Sequence, residues 1–139
     1  MTIKQIQEDI VDEFSMFDDW MQRYEYIIDL GKSLPIIEEQ YKTDDNIIKG
    51  CQSKVWVHAE EKDDKIVFTA DSDAILTKGI IAILIRAFSN QSASDILEAK
   101  TDFIDEIGLK EHLSPTRANG LVSMIKQLKM YALAFNAKN

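Results

Sequence analysis

The sequence predicts an α+β fold, an antiparallel β-sheet flanked by helices, on three observations. Two short central segments alternate apolar and polar residues with the period of two of a strand. The segments before and after them carry apolar residues at helical spacing. No repeat, low-complexity tract or Pro/Gly/Ser-rich linker divides the 139 residues, so residues 1–139 read as a single domain. At this length folding buries roughly two-thirds of the surface of the unfolded chain, enough for one core without staples.

The elements follow in order. Thr2 and Gln5 form a capping box ahead of Ile3, Ile6 and Ile10, which recur at helical spacing. A second helix starts within residues 15–18, carries Trp20, Tyr24, Ile27 and Ile28 on one face, and ends at Gly31 through a positive φ. Residues 32–50 read as an irregular connection punctuated by Pro35 and "KTDDN", with a short helix starting at Pro35. In residues 54–59, Val55, Val57 and Ala59 share a face; in 65–70, Ile66, Phe68 and Ala70 do. The polar "EEKDDK" between them makes a hairpin, and residues 71–76 are expected to add a short strand. "LTKGIIAILIRAF" has isoleucines that also suit strands, but its length and its Lys78 and Arg86 flanks favour a helix buried on most sides. Ser92 with Asp95 opens a short helix, and residues 102–107 form another, closed by Gly108. The last helix has Ser114 as N-cap and Pro115 at its first turn. Its stripe is Leu121, Ile125, Leu128, Ala132 and Phe135.

Composition removes several function classes. The net charge is −8, and no Lys/Arg cluster offers the basic surface that nucleic acid requires. The longest apolar run, residues 79–85, is far short of the ~18 residues of a membrane span. The acidic residues Glu8, Asp9, Asp12, Glu13, Asp18 and Asp19 form either a solvated face or a docking face for a basic partner. A lone cysteine cannot form an internal disulfide, and residues 1–10 carry no targeting pattern, so a reducing cytoplasm is the expected compartment. The five glycines are isolated, which excludes a Gly-rich phosphate loop, and no G-x-S-x-G elbow is present. One Cys and two His cannot build a thiol-rich zinc site, and neither His has a partner at i+4; no metal or cofactor is expected in this chain.

Cys51 remains. A free cysteine is often a small buried hydrophobe. Here it follows Gly50, which permits unusual backbone and close approach, and it lies between Lys49 and Lys54, whose charge would favour the reactive thiolate. A Cys–His hydrolase is the enzymatic alternative. Across an extended segment His58 would sit about 23 Å away, at ~3.3 Å per residue, which leaves a Cys51–His112 pair. Arg117 falls at the third position of the last helix, where a cation opposes the helix dipole. It either extends into water or pairs with an anion: a carboxylate, or a thiolate or persulfide on Cys51.

"NIIKGCQSKVWV" resembles the signature of the SufE family of cysteine-desulfurase sulfur acceptors, which reads N-x-V-x-G-C-Q-S-x-V-W. Asn46, Gly50, Cys51, Gln52, Ser53, Val55 and Trp56 match it. Ile48 replaces the usual Val, and Lys49 fills a variable position often apolar or proline. "LTKGIIAIL" and "HLSPTRANGLVSMI" resemble two further family segments, in the right order, with Thr116 in place of a common Ser. The resemblance implies the fold shared with the IscU/NifU scaffold group. It also implies Cys51 as the sulfur-accepting residue, on a loop with Gly50, Gln52 and Ser53 that exposes the thiol when it moves. The implied donor is a SufS-type desulfurase, or a CsdA-type one if the chain is CsdE-like, and the implied recipient is the SufBCD scaffold. The pyridoxal phosphate belongs to the donor. Monomer and homodimer are equally compatible with the resemblance.

Overall fold

The structure, a computed structural model, describes residues 1–138. Helix α1 (Ile3–Ser15) begins at the expected capping box: Thr2 Oγ1 accepts from the Gln5 N–H at 3.1 Å, and the Thr2 N–H donates to Gln5 Oε1 at 2.9 Å. It buries Ile3, Ile10 and Phe14. Helix α2 (Trp20–Gly31) starts later than expected because the Asp19 carboxylate, not an earlier residue, caps it through the Gln22 N–H.

The expected positive φ at Gly31 is a correction. Gly31 is the last residue of α2, and the glycines with positive φ are Gly50 and Gly108. Its small size serves packing instead: a Cβ there would lie 3.1 Å from the Gly79 nitrogen. A Cβ on Gly79 would lie only 2.1 Å from the Ile27 carbonyl oxygen. The two glycines let α2 cross α3 (Ile75–Phe88) backbone to backbone.

After α2 no helix starts at Pro35. Residue 36 is extended and bridges in parallel to Ala70, with the Ala70 N–H donating to the Pro35 carbonyl and the Ile37 N–H to the Ala70 carbonyl. Two 3₁₀ turns follow, Glu39–Tyr41 and Asp44–Asn46. Strands β1 (Val55–Lys62) and β2 (Lys65–Ser72) pair antiparallel, with Val57 opposite Ala70 and Ala59 opposite Phe68. Asp63 and Asp64, both at positive φ, make the two-residue turn, a geometry that matches strand twist. Among the described residues the regular sheet is two-stranded. The short strand expected at residues 71–76 is absent because Asp73 turns back to the Lys54 carbonyl and α3 begins at Ile75.

Helix α3 is the centre of the molecule. It buries Ile80, Ile81, Ile83, Leu84 and Ile85 to within 1 % exposure, so its apolar residues face neighbours on nearly every side. The hairpin's inward residues Val55, Val57, Ile66, Phe68 and Ala70 complete the same core. Short helices α4 (Ala93–Glu98), α5 (Asp102–Glu106) and α6 (Leu109–His112) lead to the long α7 (Pro115–Lys138). Gly108, at φ 77°, joins α5 to α6. Helix α7 packs Leu121, Met124, Leu128 and Ala132 inward, and Tyr131 donates its hydroxyl to the Val57 carbonyl at 3.0 Å. No described helix is long and apolar enough to cross a membrane.

Candidate functional site

Cys51 lies on the loop between the second 3₁₀ turn and β1. The loop is closed at its base by the Ile48 N–H, which donates to the Val55 carbonyl at 2.8 Å. Beyond the cysteine, Lys54 is held by Asp73, whose carboxylate accepts from its N–H at 3.0 Å. Gly50 takes φ 93°, a region that side-chain-bearing residues avoid. A Cβ at Gly50 would also meet Ser123 Oγ of α7 at 2.6 Å. Glycine is therefore required twice, once for conformation and once for space.

The Cys51 side chain is half-buried and points at α7. Its Sγ lies 3.6 Å from the Gly120 carbonyl oxygen, to which the thiol donates. Gly120 is the contact of the candidate thiol that the sequence reading passed over. Glycine inside a helix costs about 1 kcal/mol relative to alanine, yet a Cβ here would approach Sγ to 3.3 Å. The signal was present as a lone glycine, "RANGLV", within a strongly periodic helix.

A cavity of about 310 Å³ opens beside the thiol. Gln52 and Ser53 of the loop, Thr77 and Ile80 of α3, and Thr116, Arg117, Gly120 and Met124 of α7 line it with Cys51. Three chain segments far apart in sequence thus converge on one sulfur. Arg117 sits where its position after the Ser114 cap put it: its N–H donates to Ser114 Oγ at 3.3 Å, and its exposed side chain borders the cavity. Burial pushes the Cys51 thiol above the ordinary cysteine range, so the resting group is the protonated thiol.

Two expectations about the surroundings change. Lys49 and Lys54 flank Cys51 in sequence but neither borders its cavity; Lys49 lines a separate groove with Asp44, Asp45 and Lys126. Burial, not a flanking lysine, sets the direction of the thiol's pKa shift. His112 is not the partner of Cys51 either. Its Nδ1 bonds the Gly108 carbonyl oxygen at 2.9 Å and its ring stacks on Trp20 at 4.0 Å, away from the residues that line the thiol's cavity. His58 stacks on Tyr41 at 3.7 Å and contacts Glu60. Neither histidine borders the thiol's cavity.

Comparison with known proteins agrees with this architecture. The SufE Fe–S metabolism associated domain matches residues 8–132. A SufE-like protein of Rhizobium meliloti is 42 % identical over 130 residues, covering 90 % of this chain and 93 % of that protein. The SufE-like protein 1, chloroplastic/mitochondrial, of Arabidopsis thaliana is 37 % identical over 132 residues, 94 % of this chain but 36 % of its own length. A solution structure of a Thermus thermophilus protein shares the fold, with a TM-score of 0.77 at 18 % identity over 93 % of this chain and 94 % of that one. The chain belongs to the SufE family of Fe–S metabolism associated proteins.

Proposed function

We propose that the chain accepts and carries sulfur for iron–sulfur cluster assembly, with Cys51 as the carrier. The observation that carries this reading is the lone thiol on a loop closed at its base, beside a cavity large enough for a further sulfur atom. Family membership supports the link to Fe–S metabolism.

The reaction is thiol exchange. The Cys51 thiolate attacks the outer sulfur of a persulfide on a desulfurase cysteine. A new S–S bond forms on Cys51, the donor's S–S bond breaks, and the donor cysteine leaves as its thiolate. Cys51 then holds Cys–S–SH, and the donor is free for another turnover, which is how an acceptor stimulates a desulfurase. A scaffold thiol later takes the outer sulfur by the same chemistry. Pyridoxal phosphate works in the donor, and this chain contributes no cofactor of its own.

The buried state sets the order of events. Because burial raises the thiol's pKa, leaving the cavity lowers it, and the nucleophile forms as the loop meets the donor. Nothing else in the chain competes for the persulfide. A second cysteine would collapse it to a disulfide, and the sequence has none.

The donor is a SufS-type desulfurase and the recipient the SufBCD scaffold. The test incubates the protein with cysteine and either a SufS-type or a CsdA-type desulfurase, then reads the intact mass. Wild type should gain about 32 Da per sulfur atom, and Cys51→Ser should gain nothing. Faster loading by the CsdA-type enzyme would reassign the chain to a CsdE-type role. No adduct with either enzyme would overturn the proposal. Arg117→Ala should slow loading without unfolding the chain; unchanged loading would remove Arg117 from the site.

A further inference from the structure

Thr77 stands apart among the residues around the Cys51 cavity. It is 6 % exposed, one of the few polar side chains in the core, and it reaches the cavity from the first turn of α3. Its hydroxyl takes no hydrogen-bond partner among the described residues, yet it is not sealed among buried unsatisfied atoms. Its oxygen is therefore not an orphaned buried atom but keeps some accessible surface. The open space that Thr77 borders is the cavity beside the sulfur.

The resting thiol does not need Thr77, because it donates its proton to the Gly120 carbonyl. A persulfide has the opposite requirement. Its inner sulfur has no proton to give that carbonyl, and its outer sulfur, once ionised, needs donors. An S–S bond of about 2.05 Å carries the outer sulfur beyond Sγ. The cavity, at about 310 Å³, has room for it. Ile80 and Met124 give it apolar walls, where a donor counts for more than in water.

We infer that the Thr77 hydroxyl is a built-in hydrogen-bond donor for the outer sulfur of the Cys51 persulfide, holding the anion in the cavity between loading and delivery. The inference rests on the sulfur-carrier reading and adds a residue and a ligand to it. An outer sulfur held as a bonded anion is a poor electrophile, so stray thiols remove it slowly.

The test loads the full chain with glutathione persulfide as well as with a desulfurase. In the first case the Cys51 thiolate attacks the outer sulfur and glutathione thiolate leaves. Excess glutathione is then added, and the fraction still carrying about 32 Da is followed by intact mass. Thr77→Val, of matching shape, should lose the sulfur about tenfold faster than wild type, and Thr77→Ser should stay close to wild type. The unloaded Thr77→Val protein should melt no lower than wild type, because the hydroxyl it lacks had no partner to lose. Equal loss rates in wild type and Thr77→Val overturn the inference, as does a Thr77→Ser variant as leaky as Thr77→Val. A lower melting temperature in unloaded Thr77→Val does so too, since it assigns the hydroxyl a structural bond. Loading by glutathione persulfide but not by a desulfurase sinks the proposed donor and leaves Thr77 standing. Failure of Cys51 to load from either source ends both.

Discussion

At the residue scale, Cys51 is controlled by what covers it. Its thiol is raised by burial, so the neutral form favours the folded state. That contribution is complete below the ordinary thiol pKa of about 8.5 and is lost as pH rises through the folded value. Stability measured from neutral to alkaline pH should fall more steeply for wild type than for Cys51→Ser; parallel curves would mean the thiol is not buried in solution. Gly50→Ala tests the loop itself. It forces a Cβ at φ 93° and against Ser123, and should cost about 1–2 kcal/mol. It should also push the loop off α7, so Cys51 reacts faster with iodoacetamide. The cysteine stood out as a candidate in the sequence through its motif and its isolation. Its electrostatics were not legible there: Lys49 and Lys54 are neighbours along the chain, but neither side chain borders the cavity. Gly120 and Thr77 escaped for a related reason, since only folding brings α3, α7 and the loop to one point.

At the element scale, the strands and the capped helices were the legible part. Alternation gave the inward face Val55, Val57 and Ala59, and side-chain caps gave the starts of α1 and α7. These signals are local, so a sequence carries them in full. The segment after α2 misled because Pro35 suits both a helix start and an extended edge; pairing of Ile36 with Ala70 decided for the second. The pairing of Gly31 with Gly79 was invisible for a related reason: Gly31 read as a helix terminator, and Gly79 as one small residue in an apolar helix. Gly79→Ala should therefore be the most damaging glycine substitution. Its Cβ meets backbone at 2.1 Å, which no rotamer relieves, and the helices must separate at a cost of about 3 kcal/mol or more. Gly31→Ala, at 3.1 Å, should cost less. Urea unfolding of the two variants checks the order, and a reversed ranking would contradict the backbone-to-backbone crossing of α2 and α3.

At the scale of the whole molecule, one carboxylate links three helices on the side of α3 that faces α1. Glu13 of α1 accepts from Arg86 Nη1 of α3 at 2.7 Å and from the Tyr26 hydroxyl of α2. The bonded Arg86 holds the Glu13 carboxyl below its usual range against the opposing effect of burial, while burial and then Glu13 push Tyr26 up to about 12. A depressed carboxyl stabilises the fold above its unfolded pKa and loses that contribution as pH falls through the folded value. Because Arg86 is exposed, solvent screening leaves about 1 kcal/mol. Glu13→Gln should be weaker than wild type by that amount at neutral pH and equal to it in acid, read from thermal unfolding across pH 3–7. This clamp and the long apolar α3 give the molecule a rigid frame, from which residues 49–53 hang between fixed posts at Ile48 and Lys54. A segment of five residues running out and back from fixed ends reaches about 10 Å at full extension. The loop is therefore a ruler. Any protein that exchanges sulfur with Cys51 must bring its own sulfur within that radius of the mouth of β1, and a donor whose cysteine lies deeper than the ruler is long must send a mobile arm of its own to meet it.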